Sequence, residues 1–79
     1  MQKTITSQTY AHFLECLRET REKAGLTQGE LAERLGETQS FVSKCERGER
    51  RMDIVELRAF CHAMDTTLEK FIRAFERGL

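Results

Sequence analysis

No proline occurs in the 79 residues, and no alternation of apolar and polar side chains runs long enough to mark a half-buried strand. With a third of its residues charged, the chain suits helices better than sheets. Cysteine is scarce and odd in number: Cys16, Cys45 and Cys61 show neither disulfide nor metal-ligand spacing. They read as reduced, small core residues of a cytosolic protein. His12 and His62 have no partners at metal spacing, so no metal and no cofactor are expected. No nucleophile–base set and no phosphate loop are present, and no enzyme is expected either. The opening Met-Gln-Lys-Thr-Ile-Thr has no signal-peptide stretch, and nothing approaches the length of a membrane span. The expected location is cytoplasmic, with no membrane partner.

Net charge is also missing: thirteen basic side chains balance thirteen acidic ones. That balance argues against strong sequence-independent binding to nucleic acid. Its distribution is uneven, however. Residues 1–36 carry five of each sign, whereas residues 38–51 hold Lys44, Arg47, Arg50 and Arg51 against Glu46 and Glu49. A chain of this size buries roughly 60% of its unfolded surface, enough for one domain over residues 1–79.

Five helices are expected. The stripe Tyr10, Phe13, Leu14, Leu17 and Ala24 predicts the first from about Gln8 to Ala24, stopped by Gly25. Thr27 and Glu30 form a capping box for the second, with Leu26 and Leu31 as its hydrophobic staple. Thr38 caps the third, which ends before Gly48. Asp53 and Glu56 repeat the box for the fourth, stapled by Met52 and Leu57, with Leu57, Phe60, Cys61 and Met64 inward. Thr66 or Thr67 caps the fifth, over residues 67–78, where Leu68, Phe71, Ile72, Phe75 and Leu79 recur at three and four.

Residues 27–47 carry the most information. Two short helices, each with its own start signal, are joined at Gly36, which can take the positive φ that redirects the chain. Ala32 is small where the second helix crosses close to the first, and Leu31, Leu35, Val42 and Cys45 face inward. This is a helix-turn-helix, a motif that sets its second helix in the DNA major groove.

From about Leu17 to Phe71 the chain resembles the lambda-repressor-like, Cro/C1-type family of transcription regulators. Gly25-Leu-Thr-Gln-Gly-Glu-Leu-Ala, Phe41-Val-Ser-Lys and Cys45-Glu-Arg-Gly carry the resemblance. Glu37 and Asp65 depart from it, standing where an apolar residue and a glycine are usual. The resemblance implies an all-α, compact five-helix DNA-binding domain. It also implies roles with a physical basis. Gln39, Ser40 and Lys44 would read bases, Gln39 at adenine N6 and N7 and Lys44 at guanine O6 and N7. Gln28, Ser43, Arg47, Arg50 and Arg51 would hold the DNA backbone. Phe41 would touch a thymine methyl, pack on a sugar, or be partly buried. Arg21 and Glu46 match a structural pair of the family.

One reading helix covers only a few base pairs. A two-fold dimer doubles the read and sets half-sites about 34 Å apart, which implies a palindromic operator. Ile72, Phe75 and Leu79 extend past what four helices can cover and form the expected dimer surface. The expected function is a homodimeric, sequence-specific repressor of double-stranded DNA. A protein-interaction module, such as an antitoxin in which DNA reading is secondary, is the alternative.

Overall fold

The computed structural model describes residues 3–79, with side chains from residue 8 onward. The side chains of the opening hexapeptide lie outside the described residues. Five helices follow in order: α1 Lys3–Lys23, α2 Gln28–Leu35, α3 Gln39–Glu46, α4 Ile54–Ala63 and α5 Leu68–Arg77. No strand occurs among the described residues. α1 starts five residues before the expected Gln8. The expectation rested on the apolar stripe, which begins at Tyr10, whereas Lys3 to Ser7 contain no helix breaker and continue the helix beyond it.

The helix starts follow the local chemistry of the chain. Thr27 Oγ1 accepts from the Glu30 N–H at 3.0 Å while Glu30 Oε1 accepts from the Thr27 N–H at 2.9 Å. Asp53 and Glu56 reproduce the reciprocal pair at 2.8 and 3.0 Å. Thr38 caps α3 and Thr67, not Thr66, caps α5, each through its hydroxyl and the N–H three residues on. Gly36 closes α2 with φ +71°, a conformation that would cost an L side chain about 1–2 kcal/mol. Asp65 takes φ +62° after α4, so this non-glycine fills the left-handed stop that the resemblance assigns to glycine. Arg34 braces that corner: its Nη1 donates to the Ala63 carbonyl at 2.8 Å and to Asp65 Oδ2 at 3.2 Å. The tail of α2 is thereby tied to the end of α4.

Leu17, Leu31, Val42, Cys45, Phe60 and Cys61 are the largest fully buried side chains, and they come from α1, α2, α3 and α4. Phe71 adds α5 to the same cluster. All three cysteines are buried and reduced. Cys16 is the least covered, at 8% exposure against zero for the others. Leu35 is only half-buried, because it lies in the last turn of α2 at the edge of the core.

Candidate nucleic-acid interface

α3 has two opposed faces. Val42 and Cys45 are fully buried; Ser40, Lys44 and Arg47 lie across the helix from Val42 and are exposed, and Gln39, one turn before Val42, is exposed in the first turn. Ser43 is half-buried beside them and accepts a hydrogen bond from Arg47 Nη1. The start of α2 lies next to the start of α3: a Cβ on Gly29 would sit 3.6 Å from Gln39 Oε1. The two helix N-termini thus share one side of the molecule, each with unbonded backbone N–H groups suited to an anion.

Three helices converge on one buried carboxylate. Glu46, its side chain 5% exposed, accepts from Arg21 Nε at 2.6 Å and Nη2 at 3.1 Å. Arg21 Nη1 also donates to the Leu26 carbonyl at 2.9 Å. Gln28 Nε2 completes the set by donating to Glu46 Oε1 at 2.9 Å. The Arg21–Glu46 pair expected from the resemblance is therefore present, and it fixes α3 against α1. The third partner was not legible. The resemblance assigns Gln28 to a DNA phosphate, whereas its side-chain amide donates to Glu46, so at this position the backbone N–H groups of the α2 start remain for an anion.

The basic residues after α3 also have partners. Gly48, at φ +79°, turns the chain back so that the Glu49 and Arg50 N–H groups donate to the Lys44 carbonyl at 2.9 and 3.3 Å. Across that turn Arg47 grips Glu49, Nε to Oε2 at 2.9 Å and Nη2 to Oε1 at 3.2 Å. Arg50 grips Glu56, Nη2 to Oε2 at 2.8 Å and Nη1 to Oε1 at 3.2 Å, with its guanidinium 4.8 Å above the Phe41 ring. Hydrogen bonding to Arg47 holds the Glu49 carboxyl below its usual range. Arg50 first, and then the Asp53 N–H, do the same for Glu56. Arg51 points away from both and lies 4.3 Å over the Tyr10 ring of α1. Lys44 has no carboxylate partner among the described residues. Phe41 is half-buried against Phe60, ring centres 6.1 Å apart, so only part of its ring faces outward.

The residues assigned to a dimer surface divide. Ile72 and Leu79 are exposed, at 39% and 62%. Phe75 is half-buried on its own chain, stacked 5.2 Å from His12 and edge-on to Phe13 at 6.3 Å. The His12 Nε2–H donates to the Phe75 carbonyl at 2.8 Å. α1 supplies this cover through His12 and Phe13, on the stretch already expected to be helical. Two exposed apolar residues escaped the sequence reading: Ile54 at 62% and Val55 at 72%. The available signal was their place in the first turn of α4, with Val55 off the Leu57–Phe60–Cys61–Met64 stripe. A groove of about 480 Å³, walled by Tyr10, Phe13, Met52, Leu57 and Phe75, connects Ile54 with α5.

Comparison with known proteins agrees with this geometry. Residues 12–71 match the family model described as a helix-turn-helix domain. An XRE-family-like protein from Pseudomonas syringae pv. tomato str. DC3000 superposes with a TM-score of 0.87 at 45% identity, over 95% of this chain and 92% of that one. The wild-type restriction-modification controller protein C.Esp1396I superposes with a TM-score of 0.80 at 19% identity, over 87% and 90%, a likeness of fold. No curated protein sequence matches the chain. No described helix is long and apolar enough to cross a membrane. The chain belongs to the XRE, Cro/C1-type family of helix-turn-helix DNA-binding transcription regulators, which are not enzymes.

Proposed function

We propose that this chain is a homodimeric, sequence-specific repressor that inserts α3 into the major groove of a palindromic operator, acting in the cytoplasm on the nucleoid. The observation that carries the reading is the division of α3. Val42 and Cys45 anchor one side with no exposure, while Gln39, Ser40 and Lys44 stand in solvent on the other. Gln39, in the first turn beside the start of α2, would meet adenine, and Lys44, five residues on, would meet guanine. Ser43, Arg47, Arg50, Arg51 and the backbone N–H groups at Gln28 would take phosphates. Affinity should then fall with salt, the log–log slope changing by about −0.9 per phosphate neutralised.

The dimer surface of this reading combines Ile72, Leu79 and the exposed rim of Phe75 with Ile54 and Val55. Apolar side chains so exposed favour a second copy, and pairing would set two α3 helices about one DNA turn apart. The same surface, together with the zero net charge, also suits a different protein partner, as in an antitoxin. Gel-shift titration against duplexes selected from a random pool tests the main reading. Gln39→Ala and Lys44→Ala should lose sequence preference while keeping the wild-type helical signal. Unchanged preference in both variants rejects it.

A further inference from the structure

The arginine forks expected to clamp DNA each hold a carboxylate already, and both carboxylates are presented with two oxygens, the geometry in which a phosphate is also gripped. We infer that Glu49 and Glu56 are phosphate stand-ins that set DNA affinity: Arg47 and Arg50 must exchange a glutamate for a DNA phosphate on binding. The inference rests on the DNA-binding reading above and concerns residues that touch no base.

Three observations support it. The pairs follow one another at the end of the exposed α3 face, Arg47–Glu49 across the Gly48 turn and Arg50–Glu56 between that turn and the start of α4. Both are open to solvent, with side-chain exposures of 54% and 55% for Arg47–Glu49 and 42% and 29% for Arg50–Glu56, so a polyanion can reach the guanidinium groups. The two pairs are also held differently. Arg47 and Glu49 are two residues apart in one turn and have no further support beyond Ser43. Glu56 is fixed by the α4 capping box, and Arg50 lies over Phe41. Exchange at Arg47 is therefore the easier, and Glu56 is the stronger competitor.

Glu49 and Glu56 act through the arginines and are positioning residues. Replacing either by glutamine keeps an oxygen acceptor, and in Glu56→Gln that oxygen still receives the Asp53 N–H, so the helix start survives. The control is Glu37→Gln, which removes the same charge beside α3 from a residue with no cation partner among the described residues. Two probes are used, heparin and a selected operator duplex at about 0.1 M salt, where surface charges are screened beyond roughly 10 Å. Glu49→Gln should bind the duplex about 2-fold tighter, Glu56→Gln about 5-fold, and the double variant about 10-fold. All three should leave heparin at higher salt than wild type and than Glu37→Gln. The salt slope for the duplex should match the wild-type value in every variant, since the arginines reach phosphate in both proteins.

Gains no larger than that of Glu37→Gln would overturn the inference, because bulk charge would then explain them. A slope steeper by about 0.9 for each freed arginine would also overturn it, showing that the pairs never open in the wild type. If Glu56→Gln loses its helical signal, Glu49→Gln alone decides. Heparin carries no base sequence. A heparin shift confined to the paired glutamates upholds the competition even if Gln39→Ala and Lys44→Ala keep their preference, and its absence sinks the competition even if they lose it.

Discussion

The α2–α3 end of the molecule and the end formed by the start of α4 and the tail of α5 expose opposite kinds of surface. At the first, the exposed residues are polar and the fixing is done underneath, by Val42, Cys45 and the Arg21–Glu46–Gln28 network. At the second, Ile54, Val55, Ile72 and Leu79 are exposed while the polar bond, from His12 to the Phe75 carbonyl, lies inside. A polar face on a rigid base needs no partner to be stable and can wait for DNA. An apolar face in water gains by being covered. The difference assigns the two ends to the two halves of the proposal, DNA contact at the first and a partner at the second.

The largest effect should come from removing the base of the reading end. Glu46→Ala leaves Arg21, its side chain only 11% exposed, without its carboxylate, which should cost about 3 kcal/mol. For a chain of this size that lowers Tm by about 12 °C or more, measured by circular dichroism on heating. A shift of only a few degrees would mean the network does not hold α3.

Two glycines at the same end separate backbone from packing. Gly36 and Gly48 both have positive φ, +71° and +79°, but only at Gly48 would a Cβ meet a neighbour, Leu14 Cδ1 at 2.9 Å. Gly36→Ala should cost about 1–2 kcal/mol from conformation alone, and Gly48→Ala more, in urea unfolding. Equal losses would show that Leu14 yields without cost.

At the apolar end, Val55→Glu and Ile72→Glu should shift the protein toward monomer in sedimentation, with stability changed by no more than about 0.5 kcal/mol. Unchanged mass would leave that surface to a different partner. Phe75→Glu is a poorer probe, since Phe75 also packs on His12 and Phe13.

The smallest effect concerns the core that both ends share. Burial pushes the Cys61 thiol up to about 11, and burial first, then Glu19 and Glu15, raises Cys16. A raised pKa keeps the thiol neutral below it, so at pH 8 only about one Cys61 in a thousand is thiolate. Iodoacetamide should leave the native protein unlabelled over a time that labels the urea-unfolded chain. Rapid native labelling would place a cysteine outside the core.

What was legible in the sequence follows from how far each interaction reaches. Caps join residues three apart, so Thr27–Glu30, Thr38 and Asp53–Glu56 can be read from the chain alone. The core stripes could be read from periodicity. The Gln28–Glu46 bond spans eighteen positions and depends on how α2 crosses α3, which no spacing encodes. The partners of Arg47 and Arg50 depend on the Gly48 turn. Apolar type does not say whose core a side chain joins. Phe75 therefore looked like a dimer residue while Ile54 and Val55 passed as part of the fourth helix.

A selected operator duplex titrated into 15N-labelled protein, with the amide resonances followed by NMR, tests the central claim most directly. The largest shifts should fall on Gln39 to Lys44 and on the N–H groups at the start of α2, with Ile54, Val55 and Ile72 unmoved by DNA. Shifts centred on α4 and α5, with α3 silent, would contradict insertion of α3 into the groove.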